Sequence, residues 1–363
     1  MSQNKAARHK FSRRSALIAP PLLAVALAAA PWPAPWSAPS PAPSARAVAA
    51  AAAADWVERP FDPPPGSRWA LKTSETSEDN SDGHIDTSVL TTTSELIIEQ
   101  KTADGFRVSY VLRDAAFQGD SQRASVVDPV THAMQNLVIE ATLAPNGKPL
   151  RVENLDDLVA KVRSRIDAIG ATSGDTPQSG FLREVATRML VADAAHAPNV
   201  YLANLATLAV GQDTGLHPGE TRNSNDDIIN PFNGTPIKSN TTLAIDSADP
   251  ATGDVRYVRT QSFDSDAIKT LLGKLAEHAA DADAAAAAGA GSPGGTGDAA
   301  KDRQSKIDAF LSKAAMTLDS RTEFEVEDGM TRTLRQEDKA NAAIPGHSIV
   351  KHGHKLMTLT REP

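Results

Sequence analysis

LVIEATLAPNGKPLRVENLDDLVAKVRSRIDAI, residues 137–169, holds the pattern from which the fold is read. Leu137, Ile139, Ala141 and Leu143 alternate with Val138, Glu140, Thr142 and Ala144, the two-residue period of a half-buried strand. Pro145, Asn146 and Gly147 then supply turn chemistry, since proline presets φ while Asn and Gly tolerate positive φ. A short return strand carries Leu150 and Val152 on one face. At Asn154 the period changes. Leu155, Leu158, Val159, Val162 and Ile166 recur at helical spacing, with Asn154 placed as N-cap and Gly170 as the expected stop. Burying those five side chains is worth about 8–15 kcal/mol gross, at roughly 1.5–3 kcal/mol each. A helix with that stripe requires a sheet to lie against.

Similar alternation extends to both sides. Upstream, Trp69 and Leu71 begin a first strand, residues 74–83 read as a polar loop, and residues 89–100 and 106–112 alternate around Asp104-Gly105, a hairpin signal. Residues 118–134 read as irregular. Downstream, residues 177–197 and 198–210 carry helical spacing, and residues 211–238 read as a long loop rich in Asn, Asp, Gly and Pro. Strands return at 241–246 and 255–263, followed by a polar cap at Asp264 or Ser265 and a helix with Ile268, Leu271, Leu272 and Leu275. That repeats the hairpin, cap and helix of residues 137–169 in architecture, without residue identity. Thr322, Phe324 and Val326, a turn at Asp328-Gly329, and a strand over 355–360 complete the chain. The expected fold is α+β: a curved, mostly antiparallel sheet of about 8–10 strands, half-barrel-like, with amphipathic helices packed on one face.

The N-terminus reads as an export signal. Lys5, Arg8, Lys10, Arg13 and Arg14 precede an apolar run over 16–30, too short for a membrane-spanning helix, which needs about 20 residues. Ser12-Arg13-Arg14-Ser15-Ala16-Leu17 resembles a twin-arginine signal but lacks its usual Phe at Ala16 and the following Lys, so the general secretory route stands beside it. Ala45-Arg46-Ala47 places cleavage near Ala47. The expected organisation is therefore an export signal over 1–47, a Pro/Ala-rich linker over 48–65, and one α+β domain over 66–363 with a flexible low-complexity insertion at about 284–299. The destination is the bacterial periplasm or the extracellular space. With no cysteine in the chain, an exported domain must be held by its core alone.

Residues 1–47 hold six of the 37 basic residues and none of the 45 acidic ones. The remainder thus sets 31 basic against 45 acidic residues, a formal charge of −14 that repels phosphate backbones, so no nucleic-acid partner is expected. No transmembrane helix is expected after the signal. Aromatic residues make up only 4% of the chain, and three of the four Trp precede Gly66, which disfavours an aromatic sugar-binding surface.

Chemistry-bearing patterns are sparse. His352 and His354, two apart, would share a strand face, and with His347 they form the candidate metal set. Ser348 and Lys351 fit S-x-x-K, but the segment is β-branched and follows Pro345-Gly346, whereas that motif requires a helix start. Asn223, Asn225, Asp226 and Asp227 offer calcium-type oxygen ligands without the glycine and terminal Glu of an EF-hand. Nucleotide-loop, nucleophile-elbow and zinc-protease signatures are missing, and no cofactor is expected.

The reading that follows is an exported envelope protein that binds an apolar ligand, such as a lipid, or a protein partner, without catalysis. Its architecture resembles the half-barrel carriers of lipids and lipoproteins in the periplasm, a resemblance of fold with no shared motif. Phe106, Val108, Tyr110, Leu137 and Ile139, with Leu96 and Ile98, would then line either a core or a ligand groove. A metal-assisted or hydrolytic enzyme using the C-terminal histidines and the 211–238 loop is the alternative. A third reading is a structural or assembly protein of the envelope, tethered by its Pro/Ala segment.

Overall fold

Among the described residues the chain forms eleven strands: β1 (Arg68–Ser81), β2 (His84–Thr102), β3 (Gly105–Gln118), β4 (Val138–Leu143), β5 (Pro149–Val152), β6 (Thr221–Ile229), β7 (Pro236–Ala248), β8 (Val255–Phe263), β9 (Ala315–Glu327), β10 (Met330–Ile344) and β11 (His347–Arg361). The computed structural model describes residues 58–81, 83–172, 186–187, 190–229, 236–266, 268–269, 315–344 and 347–363. All eleven strands form one sheet in the order β5-β4-β3-β2-β1-β11-β10-β9-β8-β7-β6. Every pairing is antiparallel. The chain meanders outward from β1 to one edge at β5, crosses to the far edge at β6, and meanders back until β11 pairs with β1. Bulges at Thr93/Ser94, Ile98/Gln100, Ile245/Ser247 and Thr331/Thr333 bend the long strands.

The helices are α1 (Ser121–Met134), α2 (Leu155–Thr172), α3 (Ala197–Tyr201) and α4 (Ala203–Ala206), with a 3-10 turn over Thr207–Ala209. On α2, Leu158, Val162 and Ile166 are buried in the core, and Leu155 packs against it. Residues 197–216 cross the inner face of the sheet. Leu202, Leu205 and Leu208 are fully buried there. The Thr331 hydroxyl donates to the Thr207 carbonyl at 2.8 Å, and Tyr257 donates to the Gly211 carbonyl at 3.3 Å. Burial pushes the Tyr257 hydroxyl up to about 12. Trp69, Leu71, Leu96, Ile98, Phe324, Leu334, Met357 and Leu359 meet this segment from the strands as one continuous core. No helix among the described residues is long and apolar enough to cross a membrane.

The decisive stretch folds as read, with two corrections. Asn154 accepts the Leu158 N–H through its carbonyl, as an N-cap residue does, but its side chain turns to β4. The helix also runs past Gly170 to Thr172. Elsewhere the chain is richer in strand and poorer in helix than expected. The polar residues 74–81 continue β1, and the supposed loop over 211–238 contains β6; neither shows apolar alternation, because successive residues in both segments are polar whichever face they take. Residues 121–134 are helical, with Pro129 inside α1. The single helix expected over 198–210 breaks into α3, α4 and the 3-10 turn, and most of the helix expected over 177–197 lies outside the described residues. So do residues 1–57, the low-complexity stretch and all but the start of the helix after Asp264. Core packing begins at Phe61, which is 2% exposed and inside the stretch assigned to the linker by composition.

Candidate functional site

Along the central strands the inner face changes character. Register partners share a face in an antiparallel sheet, so rows of side chains run across the strands. One row is Tyr257, Phe324, Leu334, Met357 and Thr73, from β8 through β9, β10 and β11 to β1. Two residues further along each strand, the row reads Thr322, Gln336, Lys355 and Glu75. The next reads Thr241, Gln261, Ser320, Asp338, Gly353, Ser77 and Ser88, small or polar on seven successive strands. Beyond it stand Leu318, Ala340, Lys351 and Asp79. A polar strip therefore lies across the inner face, with the apolar row from Tyr257 to Met357 on one side and, on the other, Leu318 and Ala340 beside the Lys351–Asp79 pair.

Its electrostatics are built from cross-strand pairs. Lys355 Nζ lies 2.7 Å from Glu75 Oε1 and reaches Asn204 Oδ1 at 3.4 Å, so the crossing segment touches the strip. Lys351 Nζ lies 3.7 Å from Asp79 Oδ1, with both side chains largely buried. Gln336 Nε2 donates to both carboxylate oxygens of Asp338 at 2.9 Å. Burial raises the Asp338 carboxyl above its ordinary range, against the opposing hydrogen bonds from Ser320 and Gln336. Gly353 leaves room beside it, since a Cβ there would stand 3.4 Å from Asp338 Cβ, an ordinary contact. The hydroxyls of Thr73, Ser77, Thr241 and Thr322 are buried with no hydrogen-bond partner among the described residues. The strip thus offers ammonium and amide donors, carboxylate acceptors and hydroxyl groups on one largely buried face.

Phe106, Val108 and Tyr110 on β3 stand near Leu137 and beside Ile139 on β4, with Tyr110 directly opposite Ile139. All five are buried and belong to the continuous core together with Leu158, Val162 and Ile166. The Tyr110 hydroxyl donates to Ser94 Oγ at 3.0 Å. On β11, His352 and His354 share the outer face, opposite Glu78 and Lys339 and opposite Thr76 and Glu337 respectively. His347 opens the strand opposite Ile344, an odd number of positions from His352 and about 17 Å along the strand. Among the described residues no group of three or more His, Asp or Glu is arranged to hold a metal. The outer face beside the histidines has a depression of about 350 Å³, lined by Thr242, Thr260, Asp319, Arg321, Glu337 and Lys339. Ser348 and Lys351 lie on β11, so the S-x-x-K spacing has no helix. Asn223, Asn225, Asp226 and Asp227 lie on β6, where Asn223 Oδ1 accepts from the Thr242 hydroxyl at 2.7 Å.

The inner strip was missed in the sequence. Its signal was present in HGHK, where the intervening Gly353 and the following Lys355 take the parity opposite to the two histidines.

No protein-family model matches the chain, and no curated protein does. Among solved structures, lipovitellin, described for its lipid–protein interactions, aligns at a TM-score of 0.40 and 6% identity over 82% of this chain. The chain spans about a quarter of that protein's length, 25%. An outer membrane channel from Pseudomonas putida F1 aligns at a TM-score of 0.16 and 8% identity, over 82% of this chain and 97% of the channel. Both alignments are too distant to carry an argument about function.

Proposed function

We propose that the chain is an exported, non-catalytic binding protein of the cell envelope that takes an amphiphile on the inner face of its sheet. The observation that supports this reading is the polar strip with its buried, unpartnered hydroxyls at Ser77, Thr241 and Thr322, joined by that of Thr73 in the adjoining row. A buried hydroxyl without a partner costs about 1–3 kcal/mol, so four on one face mark a surface that a polar group from elsewhere satisfies. The ligand's polar end lies over Asp338, Gln336 and Ser77. Its apolar part follows Leu318 and Met316, which are buried on the same face of β9. Residues 1–47 direct export by a twin-arginine-like or general secretory signal, and residues 48–57 form the link to the domain.

Native mass spectrometry of the exported chain recovered from an expressing host tests the proposal. One bound amphiphile per chain is expected, lost when Gly353→Phe fills the space beside Asp338. A chain recovered with nothing bound, or equal loading in Gly353→Phe, would contradict it. A stoichiometric metal lost in a His352→Ala/His354→Ala variant would move the function to the outer face.

A further inference from the structure

The two edges of the sheet are unlike. At one edge β5 has four residues, begins with Pro149 and has α3 packed against it, three devices that keep an edge from pairing. At the other edge β6 has nine residues, and among the described residues its only strand partner is β7. An edge strand of this length presents a row of backbone donors and acceptors that an extended chain can use.

The phase of that row follows from the pairing. The Ile245 N–H donates to the Glu220 carbonyl, and from Thr221 to Ile229 the β6·β7 register continues without a bulge. Every second residue from Glu220, namely Arg222, Ser224 and Asp226, thus exchanges its backbone bonds with β7. Thr221, Asn223, Asn225 and Asp227 direct theirs to the open edge.

We propose that β6 pairs antiparallel with β6 of a second copy of this chain, about a two-fold axis at Ser224. This register places Asn223 of each copy opposite Asn225 of the other and Thr221 opposite Asp227, so every bonded pair is drawn from the outward set. It also places Arg222 of each copy opposite Asp226 of the other, twice by symmetry. Charges on an edge ordinarily repel a second strand. Here the opposite signs fall at positions that a two-fold axis brings together, so they select a second copy in one register. Moving the axis to Asn225 would set Arg222 against Ile228 and lose both charge pairs. The two eleven-stranded sheets then run on as one.

Sedimentation velocity on the full exported chain tests this, with circular dichroism to verify folding. The chain is expected to dimerise. Arg222→Asp sets two like-charge pairs across the axis and is expected to raise the dimer dissociation constant about tenfold or more. Asp226→Arg alone does the same. An equimolar mixture of the two variants restores association, because each copy then meets its opposite charge, and a folding defect would not be rescued in that way. Asn225→Pro removes an outward N–H and is expected to abolish the dimer. A monomer at all concentrations, or a dimer indifferent to Arg222→Asp and Asn225→Pro, would overturn the proposal, as would a mixture that fails to associate.

Discussion

Gln212 Oε1 accepts the backbone N–H of Phe61 at 2.9 Å, tying the entry segment to the chain that crosses under the sheet. The same amide donates through Nε2 to the carbonyls of Arg59 at 2.9 Å and Gly329 at 3.0 Å. One buried side chain thus joins the first described residues, the crossing segment and the β9–β10 turn. Gln212→Ala leaves three backbone groups unsatisfied and is expected to cost about 2–4 kcal/mol in urea unfolding. Gln212→Glu keeps the acceptor but cannot donate to two carbonyls, and should be comparably destabilised near neutral pH. A Glu variant as stable as the parent would contradict this account.

Gly147 is held by two independent constraints. Its φ is +80°, and a Cβ there would stand 2.6 Å from the Phe61 ring. Gly147→Ala is expected to cost about 1–3 kcal/mol from strain and overpacking. Adding Phe61→Leu relieves the contact but not the dihedral angle, so the double variant should recover part of the loss. Measured thermal midpoints of the two single variants and the double give the coupling.

Asn154 links the start of α2 to β4, accepting the Glu140 N–H at 3.1 Å and donating to the Val138 carbonyl at 2.9 Å. Asn154→Ala is expected to destabilise by about 1–2 kcal/mol. Asn154→Asp keeps the acceptor alone, so it should fall between parent and alanine variant. Amide exchange of Glu140 provides the local check, accelerating in the alanine variant and far less in the aspartate.

Asp338 makes stability depend on pH in a set direction. Its folded-state pKa is raised above the ordinary 3.8 by burial, so the folded chain retains a proton that the unfolded chain has released. Its contribution is most favourable below 3.8 and is lost as pH rises through the folded-state value. Asp338→Asn removes that titration while keeping an acceptor for Gln336. Urea unfolding from pH 4 upward should therefore show a smaller decline with pH in the variant than in the parent, and equal slopes would refute the assignment.

The sheet was legible where burial writes alternation into the sequence, at Phe106 to Tyr110 and Leu137 to Leu143, and where Asp104-Gly105 and Asn146-Gly147 supply positive φ. It was illegible where strands are polar on both faces. Thr73, Glu75, Ser77 and Asp79 point inward and Ser74, Thr76 and Glu78 outward, so direction alternates but polarity does not, and the far half of β1 reads as loop. Thr221 to Asp227 in β6 is a similar case. The short turns of residues 197–209 carry a helical spacing of Tyr201, Leu205 and Leu208, but packing under the sheet breaks it at Leu202, whose φ of −120° lies outside the helical range. The candidate strip depends on which positions of seven strands fall into one row, a property of register. Neighbouring residues in the sequence do not record it.

The central β1·β11 pairing, from Trp69 opposite Arg361 to Ser81 opposite Ile349, joins the two ends of the domain. Within each arm the paired strands are successive in the chain, whereas this seam closes a loop of nearly the whole domain, the closure with the largest entropic cost in the sheet. Until the fifteen residues of β11 are in place, two half-sheets expose adjoining edges and the inner strip is split between them.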